Sequence, residues 1–136
     1  MTSLLQNTRR PDVSFYSSGR IDITARIARA LGINPGDVIN IDTDGNEYIL
    51  YVCHRAEQLT GQHEAQCYPT KRGKHRNNNY RCHSRQLCRA ITREVLAATP
   101  AKEGAVLCSV RLPAGNPYFS KRLNTMAVNL ITRNPL

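Results

Sequence analysis

Between residues 20 and 52 the hydrophobic positions change their period, and each change predicts a different element. Residues 20–24 alternate apolar and polar side chains, which is typical of a short strand with one face buried. From Ala25 the apolar residues recur at helical spacing as far as Gly32, which can close a helix in the left-handed conformation. Thr24 precedes this segment, so its hydroxyl is predicted to cap the helix.

A turn and a hairpin are predicted after the short helix. Pro35 and Gly36 favour a turn, since proline presets one dihedral angle and glycine tolerates the other. Residues 38–43 and 47–52 have the pattern of strands, and the Asp-Gly pair between them is a strong hairpin signal. The first half is therefore predicted to contain a strand, a helix and a hairpin, in that order.

A second, longer helix is predicted over residues 84–98. Its apolar residues recur every four positions and form one buried stripe, which consists of Leu87, Ile91 and Val95. Three arginines recur with the same period on a different face, namely Arg85, Arg89 and Arg93. Like charges at this spacing repel by roughly a few tenths of a kcal/mol per pair. We therefore interpret the basic stripe as a surface that contacts an anion.

Short strands are predicted around this helix, over 80–83, within 105–112 and over 127–131. Tyr118 and Phe119 precede two basic residues, and aromatic and basic neighbours can together stack on bases and bind phosphates. Two adjacent aromatic residues at the start of a strand are more often core residues, so we assign them to the core.

The second half resembles the first over a short stretch. Residues 26–31 can be aligned with residues 86–91, and in both halves a strand precedes the helix and an apolar strand follows it. Two interpretations remain open. The chain contains two repeated strand–helix–strand halves that close a pseudo-symmetric barrel alone, or two short amphipathic helices are similar by chance.

The charge of the chain is concentrated in its second half. The net charge is +9; residues 1–64 contain six Lys/Arg and eight Asp/Glu, whereas residues 65–136 contain thirteen Lys/Arg and two Asp/Glu. A domain with such a one-sided charge favours a polyanionic partner, usually nucleic acid. The alternative is a charged surface that serves only solubility.

Residues 58–79 are predicted to form a basic connecting loop. They contain glycines, a proline and three consecutive asparagines, with no sustained hydrophobic period. Four basic residues are concentrated there: Lys71, Arg72, Lys74 and Arg76. Such a loop can contact phosphates without base specificity. The alternative is an exposed loop that binds nothing.

The order of elements in residues 18–52 resembles the swapped-hairpin domain of the AbrB/SpoVT and MazE-type bacterial DNA-binding regulators. Three pieces carry the resemblance: Gly19-Arg20 in the strand, Leu31-Gly32-Ile33 at the helix end, and Pro35-Gly36-Asp37 in the turn. The chain departs from the family pattern at Thr24, where proline is usual, and at Arg26, where an acidic residue is usual.

The resemblance implies a fold, a partner and contact residues. It implies an α+β protein with a small swapped-hairpin β-barrel, a homodimer that interleaves hairpins, and binding to DNA. Arg20 and Arg29 match basic positions of the family and would contact DNA. We add Arg26 to this surface from its place on the same helix. The alternative is that these arginines are solvated surface charges.

Other classes of function have weaker support in the sequence. Five cysteines at irregular spacing favour reduced thiols, and the paired ligand spacing of structural zinc sites is missing, so no metal or other cofactor is predicted. No familiar catalytic motif occurs, so the chain is not predicted to be an enzyme. It also contains no apolar run long enough to span a membrane and no recognisable signal peptide. We therefore expect a cytoplasmic protein.

The sequence thus predicts three regions and one main function. Residues 1–57 form a swapped-hairpin half, 58–79 the basic loop, and 80–136 a basic half that is a helix with strands. The predicted function is DNA binding, as a transcriptional regulator or an antitoxin-like protein. Two alternatives stay open, namely an RNA- or single-strand-binding module that uses Tyr80, Tyr118 or Phe119, and a module that binds a protein partner.

Overall fold

A computed structural model describes residues 11–54, 64–71, 78–98 and 109–132, with the backbone alone at 96–98. Its strands are β1 (Val13–Tyr16), β2 (Arg20–Ile23), β3 (Val38–Asp44), β4 (Glu47–Cys53), β5 (Tyr68–Pro69), β6 (Tyr80–His83), β7 (Ser109–Leu112), β8 (Tyr118–Ser120) and β9 (Thr125–Leu130). Its helices are α1 (Ala25–Leu31) and α2 (Arg85–Ala98). Both predicted helices and the predicted hairpin of β3 and β4 are confirmed.

The strands form two antiparallel sheets. The five-stranded sheet has the order β5-β6-β2-β1-β7, and the four-stranded sheet has the order β3-β4-β9-β8. Helix α2 packs against β1, β2 and β7, whereas α1 contacts β9. The protein is therefore α+β with a high strand content.

Backbone hydrogen bonds connect the two sheets at two places. Near the start of β3, the Cys67 amide donates to the Asp37 carbonyl at 2.7 Å, and the Ile39 amide donates to the Ala65 carbonyl at 3.2 Å. Beyond β7, the Gly115 amide donates to the Asn129 carbonyl at 2.8 Å. The edges of the five-stranded sheet are thus tied to β3 and to β9.

One hydrophobic core lies between the sheets and helices. The alternation predicted for β2 buries Ile21 and Ile23, and the helical period of α2 buries Ile91 and Val95. Cys88 is buried beside them, while Leu87 is only partly buried. Burial of such side chains, at about 1.5–3 kcal/mol each, is the main stabilising contribution of these elements.

Glycines close the turns where the sequence requires a positive φ. Gly32 has φ +68° and ends α1 in the left-handed conformation, as predicted. Gly45 has φ +61° in the two-residue turn between Asp44 and Glu47, which pair directly across the hairpin.

Thr24 is the N-cap residue of α1, as predicted, but the predicted hydrogen bond to its side chain is wrong. Thr24 occupies the N-cap position, but its hydroxyl makes no cap hydrogen bond and has no partner among the described residues. Instead the Ala25 amide donates to Asn79 Oδ1 at 2.8 Å, so a residue far away in the sequence caps the helix. The cause is tertiary, because the segment before β6 lies beside the start of α1.

Two further sequence expectations are corrected. The sequence predicts core positions for Tyr118 and Phe119, but they are 37% and 56% exposed on β8, which lies at the edge of its sheet. The region 58–79 is not a uniform loop, since it contributes β5 and the buried residues Ala65 and Cys67. Residues 105–108 of the predicted strand lie outside the described residues, and the strand is observed from Ser109.

The proposed repeat aligns the helices better than the strands. Aligning residues 26–31 with 86–91 places buried Ala28 on buried Cys88 and buried Leu31 on buried Ile91. The same alignment places buried Ile21 on exposed Arg81, because β2 and β6 alternate in opposite phase. A repeat would therefore need a shift of one residue between strand and helix.

Among the described residues, neither helix is long and apolar enough to cross a membrane.

Candidate nucleic-acid interface

Three arginines form a row on the exposed face of α2. Arg85, Arg89 and Arg93 are all exposed, as the sequence predicted from their spacing. One step of four residues advances about 6 Å along a helix, so the row extends over about 12 Å. None of the three forms an ion pair with a carboxylate in the described part of the chain. We call this set the α2 arginine row.

The turn between β1 and β2 lies beside the α2 arginine row. The Ser84 amide donates to the Gly19 carbonyl at 2.8 Å, which joins the start of α2 to this turn. Gly19 has φ +96°, and a Cβ atom placed there would lie 2.8 Å from Cγ of Arg85. Ser17, in the same turn, lines a hollow of about 220 Å³ together with Cys88, Arg89, Thr92 and Arg93.

The start of α2 is held by its own serine. The Leu87 amide donates to Ser84 Oγ at 3.1 Å, and the Ser84 hydroxyl donates to Glu64 Oε1 at 2.7 Å. The first turn of α2 contains no acidic residue. Since the N-terminal end of a helix carries a partial positive charge, the Glu64 carboxylate bound to Ser84 is favourably placed there.

Arg20 lies on the outer face of the five-stranded sheet. Its guanidinium carbon is 4.1 Å from the centre of the Tyr16 ring, and its Nη2 donates to Asp22 Oδ2 at 3.0 Å. The hydrogen bond with Tyr16 and the nearby Asp22 charge raise the pKa of Arg20, so the side chain stays cationic. This predicted contact residue is thus held in place by the fold, next to the turn beside α2.

Arg29, which the resemblance implies as a contact, and Arg26, which we added to it, both lie on α1 and are engaged within the chain. Arg26 pairs with Asp12, which is 4% exposed and also accepts a 2.7 Å hydrogen bond from the Ala114 amide. Arg29 is exposed and has an interaction within the chain. The structure therefore places Arg26 and Arg29 on a different helix from the α2 arginine row.

The basic loop is described only in part. Lys71 is exposed just after β5, and its carbonyl accepts a 2.7 Å hydrogen bond from Asn78 Nδ2. The other predicted contacts in this loop, Arg72, Lys74 and Arg76, lie outside the described residues.

The sequence interpretation missed several side chains on the outer face of the five-stranded sheet. Arg81, His83 and Arg111 are exposed there, and Tyr68 on β5 is 50% exposed. The signal was present for β6, since Tyr80 and Cys82 are apolar and their neighbours are not. For β5 no signal existed, because a two-residue strand has no measurable period.

One aromatic residue named for single-strand binding cannot serve that purpose. Tyr80 is 1% exposed, so its ring is not available to stack on a base. Tyr118 and Phe119 are exposed and remain available.

The described cysteines have the environment of core residues. Cys53, Cys67, Cys82 and Cys88 are free thiols, and the last three are buried. A hydrogen bond with Cys67 and burial raise the pKa of Cys82, and burial raises the pKa of Cys88. A raised thiol pKa disfavours the thiolate that metal binding and nucleophilic attack need. Within the described residues, no group of three ligand-type side chains could hold a metal ion.

No family model, curated protein or solved structure matches this chain.

Proposed function

We propose that this protein binds nucleic acid through the α2 arginine row and the adjacent β1–β2 turn, with duplex DNA as the ligand. The observation that carries the proposal is the row itself, in which three exposed arginines share one helix face without a carboxylate partner in the described part of the chain. Phosphate binding by such a row would offset the mutual repulsion of its charges.

The contacts of Arg20 support a second part of the interface. Arg20 follows directly on the turn that lines the row, and its stacking on Tyr16 limits its motion. A pre-positioned guanidinium can form a directed pair with a phosphate or a base edge, while the longer row supplies affinity. Arg26 serves the fold through Asp12, so we leave it out of the proposed interface.

The proposal includes a finer fold, in which the hairpins close a swapped-hairpin-type barrel. The hydrogen bonds that tie Asp37 and Ile39 to the segment before β5, and Gly115 to β9, support closure within one chain. A homodimer would then bring two arginine rows to one duplex. Light scattering on the purified protein measures the mass of the particle in solution, and a monomeric mass would remove the dimer from the proposal.

The biological role we propose is that of a cytoplasmic transcriptional regulator or antitoxin-like protein without a catalytic step. Free thiols among the described cysteines support a reducing compartment.

The test is fluorescence anisotropy of a labelled duplex over a salt series. One variant replaces Arg85, Arg89 and Arg93 with glutamine. The control variant also loses three positive charges, because glutamine replaces Arg111, Lys121 and Arg122. For three lost phosphate contacts, the slope of log affinity against log salt should become shallower by about 2.7. The slope measured for the control should differ from that of the unaltered protein by no more than about 0.9, which corresponds to one phosphate contact.

Two results would overturn the proposal. Equal slopes for both variants would show that only total charge matters, and no binding of the unaltered protein at low salt would exclude a nucleic-acid ligand.

A further inference from the structure

A second concave surface lies on the outer face of the five-stranded sheet, apart from the α2 arginine row. It is an open hollow of about 460 Å³ between β5 and β6. Its lining includes one exposed aromatic ring and three side chains with hydrogen-bonding groups: Tyr68, Gln66, Arg81 and His83. This volume is within the usual range for small-ligand pockets, roughly 300–1,000 Å³.

The sheet register fixes how these side chains face one another. Tyr68 lies directly opposite Arg81, and Arg81 lies directly opposite Asp22 on the next strand. Residues opposite each other in adjacent strands point to the same face of the sheet. The tyrosine ring and the guanidinium therefore border the same hollow, on the side of the sheet away from the core.

A carboxylate holds the arginine of the hollow in place. Asp22 Oδ1 accepts a 2.8 Å hydrogen bond from Nε of Arg81, and its Oδ2 accepts from Arg20. Only Nε of Arg81 is used in this way, and its Nη groups make no hydrogen bond within the described residues. A guanidinium held at one edge presents donors at the other, which is the arrangement that recognises carbonyl and ring-nitrogen acceptors of a base.

We propose that this hollow binds an unpaired nucleobase of a single-stranded nucleic acid, stacked on Tyr68 and hydrogen-bonded by Arg81. The ring supplies a π-face that accepts any base, and the arginine supplies donors for acceptor atoms on the base edge. Lys71 follows β5 by two positions and is exposed, so it is available for the phosphate of the same nucleotide. A base inside a duplex cannot enter, because its faces are covered by its neighbours.

The proposal takes its ligand class from the proposed nucleic-acid binding but does not depend on the α2 arginine row. A protein with both surfaces would hold a duplex on the row and an unpaired base in the hollow. An exposed aromatic ring beside a fixed arginine is more specific for a base than for phosphate alone, which needs no stacking surface.

The experiment measures binding of labelled single strands of about ten nucleotides, one of thymidylate and one of uridylate, alongside a duplex of the same length. Tyr68→Ala should lower the affinity for single strands by about tenfold, the size of effect seen when one stacked base loses its aromatic partner. Tyr68→Phe keeps the ring and should bind as the unaltered protein does. Both variants should keep its affinity for the duplex.

Phe119→Ala is the matched control, since Phe119 is an equally exposed aromatic on the other sheet. It should leave single-strand affinity unchanged. Arg81→Gln should lower it while circular dichroism shows a folded protein. Equal affinity for the two strands would support recognition of the base alone, whereas tighter binding of uridylate would support an RNA ligand in the same hollow.

Three outcomes separate this proposal from the broader one. Unchanged single-strand affinity in Tyr68→Ala, or an equal loss in Phe119→Ala, overturns the hollow as the base site. Duplex binding without any single-strand binding overturns the hollow but leaves the proposed function intact. Binding of neither form overturns both.

Discussion

The two helices follow strands in the same way, yet they use their arginines differently. On α1, Arg26 pairs with the buried Asp12, so its charge helps to hold the fold. On α2, Arg85, Arg89 and Arg93 have no carboxylate partner among the described residues. An arginine that balances a buried acid is less available to a ligand than an exposed arginine that balances none. The difference therefore favours α2 over α1 as the helix of the proposed interface.

The two helices also differ in which residue caps their N-terminal end. Helix α1 depends on Asn79 from another part of the chain, whereas α2 is capped by its own Ser84. The short helix is thus stabilised by its surroundings, as expected for one of only two turns. The longer helix is capped by the residue directly before it, so its exposed face is available for binding.

The largest loss of stability should follow the removal of the Asp12 carboxylate, which pairs with Arg26 on α1. Asp12→Ala removes the acceptor of the buried Ala114 amide and of Arg26. We expect a loss of about 2–3 kcal/mol in the free energy of unfolding, measured by urea denaturation. Arg26→Gln should cost less, because Arg26 is half exposed and Asp12 keeps the Ala114 amide as a donor. Equal losses in the two variants would contradict a structural role centred on Asp12.

The next effect compares two glycines with positive φ. Gly19→Ala and Gly32→Ala both place a side chain in the left-handed region, at about 1–2 kcal/mol each. Only the Cβ at Gly19 would also meet Arg85, whereas nothing lies within 4 Å of the Cβ at Gly32. Thermal unfolding should therefore show the larger loss for Gly19→Ala. A larger loss for Gly32→Ala would contradict the close contact between the turn and α2.

The cap residues give a smaller difference. Ser84→Ala removes the acceptor of the Leu87 amide and the donor to Glu64, so we expect a loss of about 1–2 kcal/mol. Thr24→Ala removes a buried hydroxyl that has no partner among the described residues, and the change should stay within about 0.5 kcal/mol. Urea denaturation of both variants measures the difference, and equal losses would show that Thr24 caps α1 in solution.

Local periodicity was sufficient to predict the elements with a clear pattern. The alternation in β2, the helical stripe of α2 and the hairpin turn at Gly45 each depend on neighbouring residues, so the sequence alone revealed them. The exposed arginines of α2 followed from the same period. These are the parts of the fold and of the candidate interface in which local preference and tertiary structure agree.

Features that depend on distant contacts could not be predicted in this way. The cap from Asn79 joins residues 54 positions apart, and the pairing of Arg26 with Asp12 depends on where β1 packs. Tyr118 and Phe119 are exposed because β8 is an edge strand, which only the sheet order decides. The hollow beside Tyr68 depends on β5, a strand too short to have a pattern.

The smallest effect concerns the contact between α2 and the four-stranded sheet. The Tyr48 hydroxyl donates to Glu94 Oε2 at 2.8 Å, and this bond, with burial, raises the pKa of Tyr48 above its ordinary value of 10.0. A raised pKa in the folded state means that the stabilisation is fully present below the ordinary value and is lost as pH rises through the raised one. Tyr48→Phe should therefore cost about 0.5–1 kcal/mol at neutral pH, measured by urea denaturation. The deficit relative to the unaltered protein should vanish in strongly alkaline solution. An absence of any deficit at neutral pH would mean that the packing of the ring, which phenylalanine keeps, joins α2 to this sheet without the hydrogen bond.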